Sequence, residues 1–166
     1  MEKWDSPVKE DHEALKIQVG TLKAALEKTS ADEDRRDNLR RFIRVMGPDL
    51  ELHLKKEEEV LFPALERLLG GKPEEIALLR EQHGQLRALL RYIAHLECEC
   101  GCKDPASEWK EIATAGQRFV DLLEEHEKNE ETQLVRVLEL SLKPQELLGL
   151  AREFQQMVWK TRREGL

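Results

Sequence analysis

No segment of this chain is apolar for the length a bilayer requires, and its first residues, MEKWDSPVKE, contain no secretion-signal core. Strand patterns are missing as well: there are no alternating β-branched runs and no Asn-Gly hairpin turn. Aromatic residues are scarce at 5%. The three cysteines are an odd number crowded into CECGC, which excludes a secreted disulfide framework. Positive charge is in deficit, with a net charge of −7, and the one basic cluster, Lys160 to Arg163, is too short to form a nucleic-acid surface. Neither a nucleic acid nor a membrane is therefore expected as a partner. A cytoplasmic location with reduced thiols is the default.

The chain is rich in charged residues (37%) mixed with hydrophobic ones (40%), the balance of a soluble helical protein. At 166 residues it fits a single domain. Proline and glycine divide it. Ser6-Pro7 reads as a helix cap followed by a proline at the first helical position, and Ser30 with Glu33 as a capping box. Gly70-Gly71 stops one helix, while Lys72-Pro73, Asp104-Pro105 and Lys143-Pro144 open others. Five helices result, at about 7–28, 32–69, 73–98, 105–139 and 144–162. Gly47-Pro48 is expected to kink the second. No repeat and no low-complexity segment stands out. Short connections make the first four helices antiparallel neighbours, an up-down-up-down four-helix bundle over residues 7–140. The fifth, carrying Leu147, Leu150, Phe154 and Val158 on one face, docks outside it.

The inward stripe of each bundle helix contains a residue that does not belong in an apolar core. In the first, Val8, His12, Leu15, Val19, Leu22 and Leu26 share a face. The second runs Leu39, Ile43, Met46, Leu50, His53, Glu57, then Val60 or Leu61, Ala64 and Leu68. In the third, Ile76, Leu79, His83, Leu86, Leu90 and Ile93 align. The fourth runs Trp109, Ile112, Gly116, Phe119, Leu123, His126, Glu130, Leu134 and Val137. Counted from the first turn, His12 and His53 lie at about 26 and 30 Å of helical rise, so they share a level. His83 and His126 straddle the third turn at broadly comparable heights. A lone core histidine is more often a hydrogen-bonded packing residue, and a lone His-x-x-x-Glu pair more often a solvated face. Four histidines and two glutamates on four helices at one level are a different matter. Burying them unpartnered costs several kcal/mol per group, on the order of the polar transfer penalty, so a metal is the expected compensation.

Six such donors exceed one tetrahedral zinc site and suit two ions, each with two histidines and with Glu57 and Glu130 between them. Imidazole with carboxylate favours iron, with manganese or zinc as substitutes. Neither Glu-x-x-His nor His-Glu-x-x-His occurs. His95 misses the stripe and is expected at the surface, and Glu58 and Glu131 flank the site as supporting groups.

The order His12, His53-x-x-x-Glu57, His83, His126-x-x-x-Glu130, with LFPAL after the first pair, resembles the hemerythrin-like HHE cation-binding domain. The resemblance implies a four-helix bundle with a non-haem di-iron centre, Glu57 and Glu130 bridging and the four histidines terminal. Oxygen-carrying hemerythrins have a further histidine where Arg87 stands here, and an aspartate at five residues where this chain has Glu130 at four. The set of four histidines and two glutamates is similar to the di-iron domain of iron–sulfur cluster repair proteins, whose extra cysteine-bearing N-terminal domain is not expected here. Arg87 is expected to reach either a bound anion or the surface. Cys98, Cys100 and Cys102 read as loop thiols, or as a redox or metal-handing cluster.

Three functions compete. One is a di-iron protein that binds or senses oxygen, nitric oxide or peroxide. Another is an iron-delivering or detoxifying repair factor. The third is a bundle with a purely structural metal that acts through its fifth helix. All three share one expectation. His53→Ala or Glu57→Ala should lower bound metal to about one ion per chain or none, whereas His95→Ala leaves it unchanged, as read by metal analysis of the purified variants.

Overall fold

The computed structural model describes residues 5–27, 32–71, 73–98 and 105–164, with the side chains of Ser6, Glu75 and 158–164 outside that description. Helix α1 is Ser6–Leu26. Helix α2 spans residues 32–69 as Asp32–Lys56, a wider π-helical turn at Glu57–Leu61, and Phe62–Leu69. Helix α3 is Glu74–Cys98. Helix α4 spans residues 105–141 as Pro105–Asn129, a second π-helical turn at Glu130–Val135, and Arg136–Ser141. Helix α5 is Pro144–Glu164. Strands are absent among the described residues. The expected all-α architecture is what the chain adopts.

Local chemistry sets the helix ends. The cap of α1 falls on Asp5, one residue before the expected Ser6, and Pro7 follows in the first turn where a missing N–H costs nothing. Gly70 closes α2 with a left-handed φ of 70°, and the N–H groups of Gly70 and Gly71 both reach the Glu66 carbonyl. At the start of α5, the Lys143 N–H donates to Glu146 Oε2 at 2.8 Å, a carboxylate folding back over the helix entrance. Ser30 of the expected capping box, Cys100 and Cys102 lie outside the described residues, as does the side chain of Val158. Pro48 sits inside α2, and the helix continues on both sides of it. The irregularity of this helix comes nine residues later, at the π turn.

Helices α1 and α2, α2 and α3, α3 and α4, and α4 and α1 pack side by side as a four-membered ring. Two apolar clusters fill it. One contains Leu15, Leu22, Phe42, Met46, Leu50, Ile112, Phe119 and Leu123, with Phe42 and Phe119 edge to face at 5.7 Å between centroids. The other contains Val8, Leu61, Phe62, Leu65, Ile76, Leu79, Leu134 and Leu138, and is extended by Leu147, Leu150 and Phe154 of α5. The fifth helix therefore completes the core at one end of the bundle. Along the helices, His12, His53, His83 and His126 fall between the residues of the first cluster and those of the second.

The two π turns explain an ambiguity in the sequence. Steps of three and four leave Val60 and Leu61 as alternatives, and both are buried. A π turn adds one residue to the repeat, with the Phe62 N–H bonding the Glu57 carbonyl five residues back. In α4 the Arg136 N–H reaches Glu131 in the same way, and the buried positions move to Leu134, Val135 and Leu138. In both helices the wide turn begins at the stripe glutamate.

Gly116 of α4 packs against α1, where a Cβ would stand 3.1 Å from Leu26 Cδ1 and 3.5 and 3.6 Å from the Leu22 methyls. Gly116→Val should overpack this contact and destabilise the fold by about 1–3 kcal/mol, read as a lower denaturation midpoint with unchanged helix content.

Candidate metal centre

All six stripe residues meet inside the bundle. His53, Glu57, His83, His126 and Glu130 are at most 1% exposed, and His12 is the one with partial access at 12% of its side chain. Their ligand-type atoms form two groups, each with its atoms within 4.8 Å of one another: His12, His53, Glu57 and Glu130 in one, Glu57, His83 and His126 in the other. Glu57 belongs to both. Its Oε1 lies 2.8 Å from His53 Nε2, and its Oε2 lies 2.9 Å from His83 Nε2 and 3.5 Å from His126 Nε2. Glu130 Oε2 stands 2.9 Å from His12 Nε2, and Glu130 belongs to the first group alone. The histidine rings pair accordingly, His12 with His53 and His83 with His126, each pair with centroids 4.9 Å apart.

This cluster carries more lone pairs than hydrogens to satisfy them. His12 Nε2, His53 Nε2, both ring nitrogens of His126, Glu57 Oε1 and both oxygens of Glu130 are buried without a hydrogen-bond partner of acceptable geometry. Buried polar atoms are rarely left so, and here imidazole nitrogens and carboxylate oxygens, both metal-ligand types, converge. A cation placed among them would satisfy several at once. The donor set fits a metal ion in each group.

The electrostatics point the same way. Burial raises the pKa of Glu57, but the facing His53 and His126 outweigh it and hold the carboxyl well below its ordinary range. Glu130 is pushed up, by burial first and then by the negative charge of Glu57, with His12 opposing. Burial would lower His53, yet the charge of Glu57 and the contact with Asp11 take it well above the usual histidine value.

Supporting groups surround the histidines. His83 donates Nδ1–H to Glu58 Oε1 at 2.7 Å. Arg87 holds Glu58 through Nη1 at 2.8 Å, and its Nε reaches Glu51 at 2.7 Å. The guanidinium expected at a bound anion or at the surface is thus clamped between two carboxylates, and it bears on the site through His83. Phe62, from LFPAL, stacks on the His83 ring at 5.3 Å. Glu58 supports the site as expected. Glu131 is exposed instead, on the wall of a surface groove of about 370 Å³ between α1 and α4 that also exposes His12. His95 is exposed on α3, as expected. Cys98, the described member of CECGC, is exposed at the end of α3.

Residue order had not revealed Asp11 or Lys56. Lys56 is 3% exposed and places Nζ 2.7 and 3.0 Å from the Asp11 oxygens. The signal was present: a lysine immediately before a stripe glutamate, one turn after His53.

A family model described as the hemerythrin HHE cation binding domain matches the chain over residues 6–97 and again over 74–162. The two matches bracket the same layout, a helix with one histidine followed by a helix with His-x-x-x-Glu and a π turn. This is a repeat of arrangement that residue identity had concealed. Neither the curated proteins nor the solved structures offer a match.

Because metal must displace a proton from His53, whose pKa is raised in the free protein, affinity should rise with pH through and beyond the ordinary histidine range and level off only above the raised value. Titration of the metal-free chain with Zn(II) or Mn(II) in a series of buffers checks the slope. Affinity that is flat or falls over this range would contradict it.

Proposed function

The chain belongs to the hemerythrin HHE cation-binding family, and from that premise we propose that it holds two iron ions and binds or senses a small ligand such as oxygen, nitric oxide or peroxide. The observation carrying this reading is the shared position of Glu57 between two groups of buried imidazoles. His12, His53 and Glu130 would complete one ion's protein donors with Glu57, and His83 and His126 the other's. Manganese or zinc could substitute in the same donor set. Bound iron would supply redox-active ligation of a diatomic molecule or an anion.

The protein's own share of that chemistry is positional. Glu57 spans the two groups from the first residue of a π turn. Glu58 and Arg87 fix the direction in which His83 offers Nε2. Seven donor memberships, four in one group and three in the other, fall short of filling two six-coordinate ions and so favour exchangeable positions. Apolar clusters on both sides keep bulk water from the layer, while the groove beside His12 supplies an approach from solvent. No helix among the described residues is long and apolar enough to cross a membrane, in keeping with a proposed cytoplasmic setting. Oxygen, nitric oxide and peroxide need no docking surface, and we propose neither a nucleic-acid nor a membrane partner.

A second reading, iron–sulfur cluster repair or defence against nitrosative or oxidative stress, is favoured by the engagement of Arg87 where oxygen carriers place a histidine. In that reading iron is delivered, or the small ligand consumed. A structural metal alone is the least supported alternative, since so many donors exceed what a structural site needs.

The test is metal analysis with visible spectroscopy on protein purified with and without air. About two irons per chain are expected, with oxo-bridged ferric absorption in air that azide or nitric oxide perturbs. Iron at this stoichiometry with a spectrum indifferent to both ligands would leave the metal and remove the ligand-binding role.

A further inference from the structure

Lys56 presents a problem that the metal reading alone makes worse. It is a cation 3% exposed, adjacent in sequence to the carboxylate that serves both groups. A buried ammonium ion is costly unless it is paired, and beside a metal it adds repulsion. Its partner is Asp11, both of whose oxygens lie within 3.0 Å of Nζ. The ring of Phe154, from α5, lies 4.8 Å from the same nitrogen. Asp11 in turn faces His53. Its Oδ2 stands 3.5 Å from His53 Nδ1, a buried nitrogen with no properly formed hydrogen bond.

The other group of donors has the same parts. There a histidine, His83, is backed by a carboxylate, Glu58, which is held by a cation, Arg87. One arrangement is drawn from α2 and α3, the other from α1 and α2 with α5 as its cover. In each case the carboxylate lies on the ring nitrogen turned away from the shared Glu57.

We propose that Asp11 and Lys56 are positioning residues for the metal centre. Asp11 accepts the Nδ1–H of His53, which commits Nε2 to the metal, and Lys56 holds Asp11 in place. Phe154 shields the pair from water, so the docking of α5 bears on the geometry of His53. The inference rests on the metal reading above, and its test keeps the two apart. Orienting carboxylates of this kind govern how tightly a histidine-bound ion is kept.

The experiment uses the full chain loaded with Zn(II), with histidine nitrogens labelled, and reads two quantities. Proton–nitrogen spectra give the His53 Nδ1–H resonance, whose downfield shift and protection from solvent exchange mark its hydrogen bond to Asp11, and transfer of zinc to a chelator gives the release rate. Wild-type protein should show a downfield, slowly exchanging Nδ1–H signal. Asp11→Leu should lose that signal and release zinc about 10–100-fold faster. Lys56→Met should move both readouts in the same direction, and the double variant should be no worse than the more affected single one, because the two act in series. Asp11→Asn retains shape and an acceptor oxygen, so it provides the comparison if the leucine variant fails to fold. It should keep a protected Nδ1–H signal and release zinc at an intermediate rate. Phe154→Leu should accelerate release while the Nδ1–H signal remains.

An unchanged His53 signal and release rate in Asp11→Leu and Lys56→Met, or wild-type release in Asp11→Asn, would overturn the proposal. Faster release with the protected His53 Nδ1–H signal retained in Asp11→Leu would overturn it too, because that is the signature of general loosening. A wild-type chain that takes up no zinc, manganese or iron would overturn the metal reading beneath it.

Discussion

A layer of four imidazoles and two carboxylates, enclosed in a protein interior with many of its polar atoms lacking a hydrogen-bond partner among the described residues, constrains the rest of this structure. Polar groups without partners in such a setting oppose folding by several kcal/mol each, on the order of the transfer penalty. The bundle can sustain the layer only if apolar packing on both sides holds four helices at one level, and if cations can enter. The two clusters meet the first condition, with Phe42 and Phe119 on one side and Phe62, Leu65 and Leu138 on the other. Membership of a cation-binding family answers the second. On this view the fifth helix is part of the same solution, because Leu147, Leu150 and Phe154 complete the apolar floor beneath the site.

The two π turns follow from the same constraint. An α-helix that has brought His53 and Glu57 inward on one face continues with that face fixed, and the next apolar residues would follow in register. Adding one residue at the glutamate lets the chain present Val60, Leu61 and Phe62 to the second cluster while His53 and Glu57 keep their place. The same device occurs at Glu130. Pro63 fits the first turn, since it lacks the N–H that a regular helix would have donated, but Arg136 occupies the corresponding position in the second. The proline is therefore compatible with the irregularity without being its cause.

The halves of the molecule share a layout and differ in detail, and the differences are chemical. The first group of donors includes both glutamates and the one partly exposed histidine, beside a charged groove. The second has three donors and a tightly closed clamp of Glu58, Arg87 and Glu51. An ion in the first group would meet solvent through His12, whereas one in the second would sit behind buried walls with fewer protein donors. Two similar half-sites in one bundle need not be equivalent.

Much of this was legible in residue order. Helical periodicity placed His12, His53, Glu57, His83, His126 and Glu130 on inward stripes, and proline and glycine gave the helix boundaries to within a few residues. It also excluded His95 from the site. These properties follow from local chemistry, since a 3.6-residue period and the backbone limits of proline and glycine act on neighbours in the chain. What the sequence could not reveal depends on distances between separate helices. Arg87 was open to an anion or to solvent until Glu51 and Glu58 were found within its reach. Nothing in residue order pairs Asp11 on α1 with Lys56 on α2, yet packing does, with Lys56 buried. The sequence by itself determined which residues face inward and which type of chemistry they share. Only the tertiary structure decided which of them meet, because the pairing of charges across helices depends on helix rotation and depth, and no period in the chain records either.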